Sequence, residues 1–324
     1  MKCITLALAL GSAMSQTLFA AEPPSATQIK HRFLAVDTSP GRLIYVDEND
    51  RSNDWSVAGT HLRDLQLIGD HRVAVSDGAG VTIVDMKEKK IVGSVHPAKA
   101  RGVETFRWQA DGRLIFVAAG GMLTTDAAGV ELSHVPMKLG ARICRMTPEG
   151  GWVFGAGKPE VVETAIDGSV KARYTIPGLN NPYIYHVAKR EDGGFFVACG
   201  YAGTGVSLSA TGAVLQRFEY PQTYFFGSLQ VLNNGNVVFA NWSGHGGAGD
   251  DARNPKRGPQ VIEFTADGKP VWTFHDAQKL NCIHHVLVLD GLDLNLLHEE
   301  IGGRLVPRPK TNGIELSCSG VIHL

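Results

Sequence analysis

Six positions in this sequence share a pattern that could do chemistry. Each stands in a short apolar run ahead of a polar turn: Gln66, Arg107, Arg145, His186, Gln230 and, with the register open by one residue, His285 or His284. Their flanks are apolar, as in Leu65 and Leu67, Phe106 and Trp108, or Leu229 and Val231. Alternate residues of a strand face opposite sides, so a position repeated in this way recurs on one face. Two arginines, one or two histidines and two glutamines converging there would make a cationic, donor-rich ring. Arginine forks suit carboxylate, phosphate or sulfate. His186 or His285 is the candidate general base or nucleophile near neutral pH. The plain alternative is a polar, water-filled channel without activity. His284 and His285 make a poor metal pair, because adjacent strand residues point apart and no Asp or Glu partner is evident nearby.

A second candidate is the glycine-rich stretch NWSGHGGAGDDARNPKRG at 241–258, which carries His245, Asp250, Asp251, Arg253, Lys256 and Arg257. Long loops in compact domains are often lids or binding loops. Trp242 is placed to stack on a sugar or an aromatic ligand, while Trp55, Trp108, Trp152 and Trp272 fall in strand patterns and are expected in the core. The stretch has neither a GxxxxGK phosphate loop nor calcium-loop spacing. Asn241-Trp242-Ser243 fits a glycosylation acceptor. No CxxC, GxSxG or HExxH motif occurs, so nothing calls for a metal or a cofactor.

The elements that must carry these residues are repeated. One recurrent half is strand, turn, strand: LQLIGDHRVAVSD (65–77), FRWQADGRLIFVA (106–118), CRMTPEGGWVFGA (144–156), HVAKREDGGFFVAC (186–199) and LQVLNNGNVVFAN (229–241). A second half follows each, anchored before its polar turn by Val46, Val84, Thr125, Ile166, Ala210 and Ala266. Successive anchors lie 38, 41, 41, 44 and 56 residues apart, the long gap holding the insertion Ser243 to Arg257. A period near forty with four short strands is a propeller blade. The N-terminal unit has only three strand candidates, and His284–Leu289 is a lone strand near the other end. The sequence therefore predicts an all-β, six-bladed β-propeller closed by a C-terminal strand joining the N-terminal blade. Seven blades are the alternative, because GIELSCSGVIHL in the tail could supply another strand.

The formal net charge of -1, with no long single-sign run, argues against nucleic acid and against a polybasic membrane patch. Residues 1–21 read as a signal peptide: Lys2, an apolar Ile4–Met14 run, and small residues at Ala20-Ala21. The expected boundaries are a signal at 1–21, a propeller at 22–297 and a tail at 298–324. An exported chain without a membrane segment after cleavage, acting as a monomer, is expected. Cys144 and Cys199 sit in apolar strands as free thiols, whereas Cys282 and Cys318 are the pair open to a disulfide.

The phrases FLAVDTSPGRLIYVDEND, LQVLNNGNVVFANWSGHGG, VIEFTADGKPVWTF and VLVLDGLDLNLLHEE resemble secreted bacterial six-bladed propellers of the PQQ-like/NHL-like group. The resemblance covers both ends and the last full blade. A more distant similarity is to arylsulfotransferase-type propellers, but no stretch matches their motifs residue by residue. The resemblance implies an exported propeller with a ligand site at its channel. The function expected is binding of a small anionic or carbohydrate-like ligand, or of a partner protein. The alternative is a transferase, hydrolase or lyase using channel His and Arg residues.

Overall fold

The computed structural model describes residues 29–137, 142–157 and 159–309. The expected signal peptide, Cys318 and the GIELSCSGVIHL strand lie outside the described residues. The remainder is built from strands. The first three are β1 (Arg32–Asp37), β2 (Arg42–Asp47) and β3 (Trp55–Ala58). Next come β4 (Leu65–Gly69), β5 (Arg72–Ser76), β6 (Val81–Asp85) and β7 (Lys90–Val95), then β8 (Thr105–Trp108), β9 (Leu114–Ala118), β10 (Gly121–Thr125) and β11 (Glu131–Pro136). They are followed by β12 (Arg145–Met146), β13 (Trp152–Gly155), β14 (Glu160–Thr164) and β15 (Val170–Thr175), and by β16 (His186–Lys189), β17 (Phe195–Ala198), β18 (Thr204–Leu208) and β19 (Val214–Glu219). The last are β20 (Phe226–Val231), β21 (Val237–Asn241), β22 (Val261–Phe264), β23 (Pro270–Phe274), β24 (Ile283–Val288), β25 (Leu297–Ile301) and β26 (Arg304–Arg308).

These strands form an all-β propeller of antiparallel meanders. Four sheets are separate and four-stranded: β24-β1-β2-β3, β8 to β11, β12 to β15, and β16 to β19. The first of them takes its fourth strand from far along the chain, with Val286 of β24 opposite Ala35 of β1. A ten-stranded sheet holds the rest, in which β20–β23 and β4–β7 are two runs joined through the β25–β26 hairpin. The joins are thin: Val231 opposite Arg304, and Leu297 opposite Ile68.

Burial explains the strand sequences. Inner strands are covered on both faces and are rich in apolar residues, as in RFLAVD and VVFAN. Outermost strands such as ELSHVP and VKARYT are mostly exposed and polar, which protects an open edge from pairing with other chains. The core consists of clusters wedged between successive sheets. Phe33 and Val46 pack with Val238, Val261 and Trp272, so the first sheet meets β21–β23. Val153 and Val161 likewise meet Val187 and Phe195, and Ala198 and Phe218 meet Phe239 and Phe264. Cys144, Cys199 and Cys282 are buried and form no disulfide among the described residues, and burial raises all three. Among the described residues no helix is long and apolar enough to cross a membrane.

Candidate functional site

Turn hydrogen bonds set the level of each inner strand. Gln109, Thr147, Arg190 and Leu232 each donate their N–H to the carbonyl four residues on, at 2.8 Å. Two residues before these anchors stand Arg107, Arg145, Ala188 and Gln230. His186 is therefore not level with the arginines. It lies two residues nearer the strand start, at the level of Thr105, and the single column expected from the sequence is two levels.

The arginines and histidines do converge. Arg107 and Arg145 both reach Asp64, at 3.1 and 3.0 Å, and both reach Glu300 of β25, Arg107 at 3.2 Å. Nε2 of His186 lies 3.0 Å from Glu300 Oε1, and its Nδ1 accepts the Leu229 N–H at 3.1 Å. That second bond requires the neutral ring to carry its proton on Nε2, which donates to Glu300. Nδ1 of His285 lies 3.6 Å from Asp64 Oδ1 with no hydrogen-bond partner, and its ring is 6.1 Å from that of His186.

The electrostatics follow from burial. Burial opposes the charge on Asp64 and Glu300, but Arg145 and its neighbours outweigh it and hold both carboxyls below the usual carboxylate range. Burial, reinforced by Arg145, lowers His186; burial, reinforced by Arg145 and His186, lowers His285 to about 4. Both rings are neutral at pH 7. Two cations face two anions, so the cluster is compensated and is not the cationic ring expected. The reason is general: buried arginines must be paired. Asp64 and Glu300 escaped the sequence reading. Asp64 stands one residue before β4, and Glu300 lies in what was expected to be a tail, although the acidic pair Glu299-Glu300 in a polar stretch was a usable signal.

The glutamines bridge strands instead. Gln66 Nε2 donates to the carbonyls of Trp108 (2.8 Å) and His298 (3.0 Å), while its Oε1 accepts the Trp108 N–H at 2.8 Å. Gln230 clamps Val288 in the same two-way manner, at 3.1 and 2.7 Å.

A second ring stands nearer the strand starts, at Arg63, Glu104, Arg142, Tyr185 and His284. Arg63 and Arg142 share one carboxylate, Glu104, which leaves one positive charge over. Arg142 also donates to the Tyr183 hydroxyl at 3.2 Å. His284 is 6 % exposed, walled by Tyr185, Trp242 and Phe225 at ring separations of 4.7, 5.7 and 6.0 Å, and its Nδ1 has no partner among the described residues. Burial, then Arg63, His285 and Arg142, drive its pKa well below the ordinary value. Arg63, Arg142, Tyr183 and Tyr201 form a half-exposed rim over this buried floor.

The 241–258 stretch flanks this ring. Trp242 is buried, its indole N–H bonded to Thr38 Oγ1 at 3.0 Å and its ring edge-on to His245 at 4.6 Å. It belongs to the aromatic floor, and no open face awaits a sugar. His245 itself is exposed. Asp250 pairs with Arg257, whose guanidinium lies 3.4 Å over Tyr224, and Asp251 pairs with Arg253. Asn241 is fully buried and its amide is spent on the carbonyls of Arg257 and Pro259, so it is closed to glycosylation. Among the described residues no three His, Cys, Asp or Glu side chains gather to hold a metal ion.

No protein-family model and no curated protein matches the chain. Solved structures do. A protein of unknown function from Bacteroides caccae matches with a TM-score of 0.65 and 19% identity, over 80% of this chain and 99% of its own. A chain of a nidogen/laminin complex matches at 0.58 and 11%, over 79% and 97%. A streptogramin B lyase matches at 0.52 and 10%, over 80% and 93%. At these identities the likeness establishes the β-propeller fold and leaves the chemistry to the residues of this chain.

Proposed function

We propose that this chain is an exported, monomeric, six-bladed propeller of the PQQ-like/NHL-like kind that binds a small anionic ligand at its channel mouth. The six-blade count is supported by the way the ten-stranded sheet divides at its two single-residue joins, and by the apolar clusters between successive sheets. The β24–β1 pairing and the packing of Phe33 on Trp272 favour closure of the ring.

The observation that carries the binding reading is His284. A buried neutral imidazole with an unpartnered Nδ1, walled by aromatic rings and facing a rim with one excess positive charge, suits a ligand with a flat body and one anionic group. The inner cluster is a poorer anion site, because Asp64 and Glu300 already occupy its arginines. Isothermal calorimetry with aryl carboxylates, phosphates and sulfates tests this. Arg142→Ala is expected to weaken a hit about tenfold, the worth of one charge-assisted hydrogen bond. His284→Ala should abolish it. A hit indifferent to both changes places the ligand elsewhere.

A second reading, a lyase or hydrolase, is favoured by His285. Its Nδ1, 3.6 Å from Asp64 and without a hydrogen-bond partner, is free to accept a proton, although burial and Arg145, which lower the ring to about 4, make it a weak base. The structural likeness to a streptogramin B lyase makes elimination chemistry the first class to assay. Turnover that survives His285→Ala rejects this reading and leaves the binding one intact.

A further inference from the structure

Away from the channel, a cleft of about 280 Å³ opens between the first sheet and the β4–β7 meander. One wall is aromatic. Tyr45 and Trp55 lie opposite each other on β2 and β3, with rings 5.6 Å apart and 7° from parallel. Trp55 was expected in the core, yet it is half-buried here because β3 is an outermost strand. The floor is apolar, from Met86, Leu292 and Leu294.

The remaining wall is cationic. Lys87 and Lys89 line the cleft from the turn after β6, and neither forms an ion pair among the described residues. Arg32 also lines it, but Asp290 holds its guanidinium at 3.0 Å. Among the described residues no carboxylate lines the cleft, although burial of Tyr45, helped by nearby Asp47, Asp290 and Asp54, raises its hydroxyl. The walls are held in an unusual backbone: His71 and Lys89 both have φ of 56°, in the left-handed region that non-glycine residues seldom adopt. The His71 N–H donates to the Leu294 carbonyl at 2.8 Å and its own carbonyl accepts the Met86 N–H at 2.9 Å, tying the floor to the wall.

We infer that this cleft is a second binding site, taking an amphipathic organic anion with a flat apolar body and one sulfonate, carboxylate or phosphate. The body would lie against the Tyr45–Trp55 wall and the leucines, where apolar area leaves water. The anionic group would meet the two lysine ammoniums, which act as point charges needing no fixed fork geometry. The volume admits one fused-ring body, at the small end of ligand pockets.

Anilinonaphthalene sulfonate has this chemistry and reports its own binding by fluorescence. The intact protein should enhance its emission with a micromolar Kd that weakens as salt is raised. Lys87→Glu with Lys89→Glu, both on an exposed turn and tolerable to the fold, should weaken binding by about tenfold or more through reversal of two nearby charges. Neutral phenylnaphthylamine should bind more weakly and ignore the lysine changes. His284→Ala at the channel mouth should leave the probe bound. Binding unaltered by the double lysine variant, equal binding of the neutral analogue, or loss on His284→Ala would each overturn the assignment.

Discussion

Replacing Glu300 by glutamine changes the size of the side chain little and its charge completely. In the native cluster Arg107 and Arg145 are balanced by Asp64 and Glu300, with His186 and His285 neutral. Arg145 is 1 % exposed, so its charge has almost no water to fall back on. Glu300→Gln leaves one positive charge over in this interior. It also removes an acceptor. Oε2 of Glu300 accepts from both arginines and Oε1 accepts from His186, so one of these donors must face the new amide NH2. His186 cannot change tautomer to relieve the conflict, because its Nδ1 is held by the Leu229 N–H. Breaking a buried pair from one side costs about 3–5 kcal/mol.

Urea unfolding followed by tryptophan fluorescence gives the measurement. The midpoint should fall with an unchanged m-value, the mark of lost stability without altered compactness. Adding Arg107→Met removes the surplus charge, so the double variant should recover roughly 1–3 kcal/mol relative to the sum of the singles. A loss below about 1 kcal/mol for Glu300→Gln would mean that water screens the cluster, as at a surface pair. The account of a buried, compensated cluster would then be wrong.

Two further outcomes follow from the same structure. His31 is held between Glu263 at 2.7 Å and Asp290 at 2.9 Å, and although burial opposes its charge these partners raise its pKa to about 9. A group raised in the folded state stabilises fully below its unfolded value near 6.5 and loses that contribution as pH rises through about 9. Stability measured from pH 6 to 10 should therefore decline across that window in the native protein, and His31→Gln should lack the decline; an identical slope in both would exclude the imidazolium. Gln66→Met keeps the bulk of the side chain but strands the buried Trp108 N–H, so the midpoint should register a loss of about 1–3 kcal/mol. An unchanged midpoint would mean that the bridge is replaced by water.

The repeats were legible because they depend on local rules: apolar runs where both faces are covered, polar outer strands, and a turn whose hydrogen bonds recur at Gln109, Thr147, Arg190 and Leu232. Which face a residue takes was legible in the repeated strands, since a strand alternates with period two, but not at His284 and His285, where the register stayed open by one residue. The level along the strand was not. A slip of two residues leaves every side chain on its face, so pattern alone could not separate His186 from Ala188 as the equal of Arg107. That slip decides the chemistry, because it sets His186 against Glu300 and the Leu229 amide, with both ring nitrogens engaged. The partners were hidden for a different reason. Asp64 precedes the alternation of its strand, and Glu300 arrives from 193 residues beyond Arg107 on a hairpin with no counterpart in the repeat. A column of arginines read from sequence thus states that counter-charges must exist, by the cost of burying them unpaired, but says nothing of where along the chain they lie. The same logic moves the search for a ligand outward, from the arginines that have found their carboxylates to His284, whose Nδ1 has found no partner.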